Sequence, residues 1–217
     1  MNMKVLQIKN EETEPWLLRK HYAKRMPHIS FAFGLYRQND LVGVITYGNP
    51  ASDALCRGVC GEEYKHMVIE LNRLCLQDNK KNEASILVSH SLKLLPKPKI
   101  VISYADTSKN HIGYIYQATN FMYTGLSAKR TEWRIIGSNK HSRTITAQAS
   151  LNERKTNTEK YELVDRPRKH RYIFLVANKK MKKEIIKKMN YKPEPYPKGD
   201  NKNYDSGGDV SKQLLLL

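Results

Sequence analysis

Residues 103–125 read SYADTSKNHIGYIYQATNFMYTG. Together with Ile100, Val101 and Ile102, the stretch opens as a β-rich run of buried-strand length that ends on Asp106, at the strand end where α/β folds place ligand-touching groups. A polar turn follows, and from near His111 the residues Ile112, Ile115, Tyr116 and Thr119 recur at i, i+3, i+4 and i+7. That spacing predicts a helix lying on a sheet by one face, with Tyr114 pointing elsewhere and Phe121 and Gly125 closing it.

Upstream, residues 12–25 place acids and a proline first and bases last, the charge order of a helix, which Met26-Pro27 then stops. FAFGLYR (31–37) and LVGVITYG (41–48) are β-rich runs joined by a short polar link, which predicts an antiparallel hairpin. Residues 49–63, rich in Gly, Pro, Ala and Ser, read as an ordered loop able to cover a ligand. MVIELNRLCL (67–76) is strand-like, with Glu70, Asn72 and Arg73 interrupting its apolar run. A polar turn at 77–83 leads into a helix over 84–95 with Ile86, Leu87, His90 and Leu94 on one face; a strand, a donor-rich turn and a helix N-terminus form an arrangement that suits phosphate. Downstream, 122–136 reads as one strand with a polar middle, 137–171 as a long polar basic insertion, 172–177 as a late buried strand, and 179–189 as a Lys-rich helix. We therefore expect a single domain over residues 1–198 and a disordered tail at 199–217.

At 217 residues and 40% hydrophobic content the chain can bury one core. It has no apolar run of membrane-spanning length, and its N-terminus lacks a signal-peptide layout. Three cysteines, Cys56, Cys60 and Cys75, fit ordinary thiols in a reducing cytoplasm better than a disulfide scaffold. The net charge of +17 is lopsided: residues 129–198 carry 20 Lys and Arg against 7 Asp and Glu. A basic third without a large apolar face favours nucleic acid over a membrane surface as partner.

The element order resembles the GNAT acyltransferase fold, a mixed, mostly antiparallel α/β (α+β) sheet flanked by helices. More narrowly, His21-Tyr22, FAFGLYR, GNPAS (48–52), ELNRLCL (70–76), KNEAS (81–85), SYAD (103–106), HIGYIYQATNFMYTG (111–125), HSRT (141–144), KHRYIFL (169–175) and PYPK (195–198) resemble the Mom family of phage DNA-modification proteins. Ten short motifs in order span about residues 15–199. The resemblance implies an enzyme that uses acetyl-CoA and converts adenine in viral DNA to N6-(carbamoylmethyl)adenine, shielding it from host restriction, in the cytoplasm of the bacterial host. It implies catalytic positions at His21, Tyr22, Asp106 and Tyr116, with Tyr36 in the pocket, and an acyl-CoA side at Arg73 and the helix bearing Ser85 and Ser91. The usual GNAT pyrophosphate signature, with its glycines, is absent. The turn here reads QDNKKNEAS, so cofactor grip falls to Lys80, Lys81 and the Ser85 helix end.

A simple acyl transfer would leave a carbonyl on adenine N6, whereas the implied product joins N6 to a methylene and ends in a primary amide. An iron centre or a second donor enters the reading on that ground, with His21, Tyr22, Asp106 and one of His28, His66 or His111 as ligands of suitable type. On the conventional picture Asp106 is the base and Tyr116 the proton donor to the leaving thiolate. The same residues also suit a turn cap, a packing aromatic and, for His21, a helix-end cation. Adenine N6 is engaged in base pairing in a duplex, so the chemistry calls for a flipped base, with Tyr36, Tyr47, Tyr104 and Tyr114 as available walls. His141, Arg143, Arg154, Arg166, Arg168, Lys169, Arg171, Lys179, Lys180, Lys182 and Lys183 are then the expected contacts to double-stranded DNA. Two other readings stand beside this one: a GNAT enzyme acting on another amine, in protein or RNA, and a non-catalytic DNA-binding protein on the same fold.

Overall fold

The computed structural model describes residues 3–138, 140 and 142–199, with the side chain of Arg143 also outside the description. His141 and, from residue 200 on, the expected tail lie outside the described residues.

A seven-stranded sheet in the order β1-β2-β3-β4-β5-β9-β6 carries the fold. Its strands are β1 (Met3–Gln7), β2 (Phe31–Arg37), β3 (Asp40–Gly48), β4 (Val68–Leu76), β5 (Lys99–Asp106), β6 (Met122–Leu126) and β9 (Lys169–Val176). Only β4 and β5 run parallel, joined by the crossover helix α2 (Glu83–Leu94); every other neighbouring pair is antiparallel. The fold is thus mixed α/β with a mainly antiparallel central sheet flanked by helices. The two-residue period of the strands feeds two cores. From β5, Val101 and Ala105 join the core under α2 and α3 (Tyr114–Ala118), while Ile100 and Ile102 join the one under α1 (Asp53–Tyr64) and α6 (Lys179–Lys188). Tyr172 and Ile173 divide β9 in the same way.

Several elements depart from the sequence reading. Residues 12–25 form no regular helix. A 3-10 turn at Asn10–Thr13 and one wide turn at Trp16–Lys20 suffice to bury Trp16 and Leu17 against Val44 and Cys75. The chain then extends at His21, which is itself buried, and Met26 and Ile29 return to the same cluster without helix. Residues 49–63 are mostly helix rather than loop: Ser52 caps α1 by accepting the Leu55 N–H at 3.2 Å, and Val59 is buried, so packing outweighs the glycines until the break at Cys60-Gly61. Residues 122–136 are two strands in two sheets, since β6 pairs with β9 while β7 (Arg130–Ile135) pairs with β8 (Tyr161–Arg166). The basic excursion therefore runs over 127–168, and Lys169, His170 and Arg171 belong to core strand β9.

The helix expected from His111 begins at Tyr114. Asp106 caps a 3-10 turn at Thr107–Lys109, and Gly113, at φ +77°, precedes α3 where a Cβ would run into the Tyr172 ring.

The start of α2 is fixed by a buried charge pair that the sequence reading does not include. Glu83, 1% exposed, pairs with Arg37 at the end of β2 and accepts the Lys80 N–H at 2.9 Å. Removing one partner strands the other charge, so Glu83→Ala should lower stability by about 3 kcal/mol in urea unfolding.

Candidate active site

β4 and β5 pair only from Val68–Ile100 to Glu70–Ile102 and then part. Beyond that point their facing backbones no longer bond each other, and the Ser103 hydroxyl bridges the gap by donating to the Leu71 carbonyl at 3.0 Å. The parting opens a cavity of about 800 Å³. Its walls come from Glu70 to Leu74 of β4, the end of β5, the start of α3, the His21-Tyr22 corner, the loop before α1, and the junction of β8 with β9.

His21, Tyr22, Asp106 and Tyr116 all line this cavity, although they come from three separate pieces of chain, the His21-Tyr22 corner, β5 and α3. His21 is 3% exposed, and its Nδ1 accepts the Ala23 N–H at 3.1 Å. Burial, helped by the nearby Arg73 guanidinium, pushes its pKa down to about 4. The ring is therefore neutral at pH 7 and carries its proton on Nε2, which makes it a hydrogen-bond donor rather than a base. Tyr22 stacks beside it at 4.4 Å between ring centroids.

Burial alone would raise the Asp106 pKa, but the Ser108 hydroxyl and N–H and the Lys169 ammonium outweigh it and hold the carboxyl below its usual range. Oδ1 accepts from Ser108 N at 3.0 Å and from Ser108 Oγ at 2.7 Å, and Lys169 Nζ stands 3.2 Å from Oδ2. So anchored, Asp106 is a fixed negative charge and a weak proton acceptor. Tyr116 packs between Phe121 and Tyr172, at 5.3 and 5.2 Å between centroids. Tyr104 lies on the opposite face of the sheet, where burial and then the Glu70 charge raise its pKa and keep the phenol neutral.

The corner holding His21 depends on a close approach between backbones. Thr46 Oγ1 donates to Asn72 Oδ1 at 2.6 Å, and Asn72 Nδ2 donates to the His28 carbonyl at 3.0 Å. That carbonyl comes so near Gly48 that any Cβ there would overlap it, which is the physical demand behind the glycine of GNPAS.

Of the remaining expected residues, Tyr104, Tyr114, Arg73, Arg166, Lys169 and Arg171 also line the cavity. Tyr47 and Ser91 do not: both are fully buried and bond each other at 2.7 Å inside the core, because that side of β3 packs on α2. Tyr36 lies on β2 beside edge strand β1, away from the cavity. Lys80, Lys81 and Ser85 lie at the start of α2, just past the C-terminal end of central strand β4, yet outside the cavity wall; Ser85 Oγ donates to Asn82 O at 3.0 Å. Arg154 is buried over the Trp133 ring, and Arg168 Nε donates to the Ser127 carbonyl at 2.6 Å, so both are engaged within the protein. Arg171, although in the wall, is held by Thr124 Oγ1 at 3.0 Å and lies 3.4 Å over the Tyr191 ring. Lys179 to Lys183 start α6 just after Val176, which pairs with Lys99 at the end of β5 opposite Asp106.

The sequence reading takes Glu70, with Asn72 and Arg73, as polar members of a strand that lines a site, and all three line the cavity; it gives no site role to Arg130 or Tyr191, which line it too. Glu70 left a signal as an acid inside an apolar strand. Tyr191 left none, since it reaches the site only because the chain after α6 folds back across the sheet, where Glu194 N–H donates to Tyr123 O at 2.8 Å and Tyr196 Oη to Phe121 O at 2.7 Å. The wall is strongly cationic, with Arg25, Arg73, Arg130, Arg166, Lys169 and Arg171 facing two carboxylates, Glu70 and Asp106.

The donor set does not fit iron. His28 and His111 line the cavity, but among the described residues no three His, Cys, Asp or Glu side chains gather closely enough to hold a metal. Among those residues also, no helix is long and apolar enough to cross a membrane.

Solved structures similar to this chain include a GNAT-family acetyltransferase of Bacillus cereus, at 11% identity and TM-score 0.42, covering 81% of this chain and 98% of that one. Another is a probable acetyltransferase of Staphylococcus epidermidis, at 10% identity and TM-score 0.46, covering 80% and 99% respectively. In sequence, the chain is 31% identical over 207 residues to the methylcarbamoylase mom of Escherichia phage Mu, covering 88% of this chain and 84% of that protein. The Mom protein family model matches residues 2–198. Since that span takes in every wall of the cavity, from His21 to Tyr191, as well as the sheet that frames it, the chain belongs to the Mom protein family.

Proposed function

We propose that this protein is a DNA-modifying transferase that converts adenine in DNA to N6-(carbamoylmethyl)adenine, using a two-carbon unit from acetyl-CoA. The observation that carries the reading is the family match over residues 2–198, within which the four expected catalytic residues meet in one cavity. A cationic wall suits polyanions, and both substrates in this reading carry phosphates.

Acetyl-CoA fits the parted strands: the facing backbones of β4 beyond Glu70 and β5 beyond Ile102 are free of each other and offer amide partners to an extended chain. Arg73, Lys80, Lys81 and the start of α2 are the groups that would hold it, and it would supply the two-carbon unit. Joining its methyl carbon to N6 removes two protons and two electrons, and forming the primary amide displaces the CoA thiolate by an ammonia-level nitrogen. The reaction in this reading therefore takes a two-electron oxidant and a nitrogen donor as co-reactants. In this reading Tyr104 and Tyr114 flank the flipped base. Neutral His21 donates its Nε2 proton to a substrate oxygen, and Tyr116 holds a proton for the leaving group. Asp106 stays ionised and stabilises positive charge developing at N6, a role its lowered pKa suits better than proton abstraction.

The test is nucleoside mass spectrometry on digested DNA from cells expressing the protein. We expect N6-(carbamoylmethyl)adenine in place of a share of adenine, and resistance of that DNA to restriction digestion. Soluble protein with only unmodified adenine sinks the proposal.

A further inference from the structure

We propose that the excursion over 127–168 is a clamp for the DNA backbone, and that a second cleft, between its hairpin and the end of β5, takes the phosphodiester beside the nucleotide in the main cavity. The inference rests on the reading of the protein as a DNA-modifying enzyme and names where that substrate's backbone lies.

The excursion is anchored at the mouth of the cavity. Its first residue, Ser127, donates its N–H to Lys169 O at 2.8 Å and accepts the Lys169 N–H on Oγ at 2.9 Å, while Thr107 Oγ1 donates to Arg168 O at 2.6 Å. Between these stalks the chain builds β7, β8 and two short helices, α4 (Ser142–Gln148) and α5 (Leu151–Thr156), around a small core of Ile145, Ala149 and Tyr161. Strand alternation then sorts the hairpin's faces. Trp133 and Ile135 turn to the helices, so Glu132 and Arg134 turn the other way, as does Arg166, which pairs with Arg130 across the ladder.

That outward face, with Ser108 and the end of β5 opposite, bounds a cleft of about 380 Å³. It shares Asp106, Arg166, Pro167 and Lys169 with the main cavity, so the two spaces adjoin. Its chemistry differs from its neighbour's. The main cavity has aromatic walls, whereas the cleft has no aromatic side chain in its wall and is bounded by four cations, two carboxylates and serine hydroxyls. Glu132 stands 3.2 Å from Arg134 and 3.7 Å from Arg166, and Asp106 holds Lys169, which orients three of the cations. Two positive charges remain in excess over the carboxylates, and one phosphodiester carries a single negative charge. Oriented guanidiniums and hydroxyls beside an aromatic pocket match a nucleotide divided into phosphate and base.

The full-length protein, titrated against labelled duplex DNA by fluorescence anisotropy between 50 and 200 mM salt, tests this. Arg134→Ala/Lys140→Ala is compared with Lys93→Ala/Lys97→Ala, two exposed lysines at and just after the end of α2, which removes the same charge at a distance from both clefts. The cleft pair should weaken binding about tenfold and lower the salt slope by about one to two, the loss of one or two phosphate contacts. The Lys93/Lys97 pair should change affinity less than threefold. Equal weakening by both pairs, or none from the cleft pair, overturns the clamp. Circular dichroism melts establish folding, and Arg134→Gln/Lys140→Gln repeats the comparison if the alanine pair melts early. Nucleoside analysis of the same variants separates the two ideas. Cleft-specific loss of affinity with no modified adenine from wild type supports the clamp and sinks the adenine reading, whereas full modification and unchanged binding by the cleft pair sinks the clamp alone.

Discussion

Asp106→Ala should lower the modified nucleoside in cellular DNA by about a hundredfold or more, while the protein stays folded and binds DNA as tightly as wild type or more so. The carboxylate borders both the main cavity and the basic cleft, and its negative charge is fixed by Ser108 and Lys169. On the proposed reading, removing it deletes the charge that faces the reacting amine and frees Lys169, which adds one unpaired cation to the proposed phosphate cleft. Asp106 also caps the turn at Thr107–Lys109, a role worth about 1 kcal/mol. Asp106→Asn separates the two contributions, because an amide oxygen still accepts the Ser108 N–H but carries no charge. Nucleoside mass spectrometry and anisotropy on both variants check the result. Wild-type levels of modification in Asp106→Asn overturn the charge role, and weaker DNA binding in Asp106→Ala overturns the sign of its electrostatics.

The second large effect is a dependence on pH set by His21. Its folded-state pKa is about 4 against 6.5 for an ordinary histidine, so the neutral ring persists through the whole range in which free histidines charge. Modification activity should therefore show no acid limb from this residue near pH 6.5; the limb belongs near pH 4. Stability follows with a definite sign. Above pH 6.5 both folded and unfolded chains carry neutral His21, and the residue contributes nothing to the pH dependence. Between 6.5 and 4 the unfolded chain binds a proton that the folded chain refuses, so stability falls as pH drops, by about 3 kcal/mol in all. In His21→Gln that loss is absent. Urea unfolding of both proteins at pH 7, 5 and 4 should show the gap between them moving in the variant's favour by that amount as acid is added. An NMR titration midpoint for His21 near 6.5 would contradict the prediction.

Much of the frame was legible because it is written in local patterns. The β2–β3 hairpin, strand β4, helix α2, the buried run of β5 and the Lys-rich α6 all follow from hydrophobic period and turn residues at short range. The misread elements are those whose outcome depends on what they pack against. Residues 12–25 carry helical charge order, yet only Trp16 and Leu17 find a core. Residues 49–63 look like a loop, yet Leu55 and Val59 find the sheet. Edge strand β1 has a single buried residue, Val5, and left no periodic signal strong enough to read.

For the site, the resemblance to the Mom family put His21, Tyr22, Asp106 and Tyr116 forward as catalytic candidates, and the fold brings all four to one cavity. What they do was decided by tertiary neighbours. Burial, with Arg73 beside it, makes His21 a neutral donor, and Asp106 is held ionised against its own burial first by Ser108, two residues on, and then by Lys169, some 60 residues downstream. Tyr47 and Ser91 were taken from the site into the core by the way α2 lies on β3, and Tyr191 was brought into the site by the return of the chain after α6. A sequence determines which side chains are available and, through local periodicity, which way each points along its own element. Which elements meet, and therefore which charges share a low-dielectric space, is set only when the whole chain has packed.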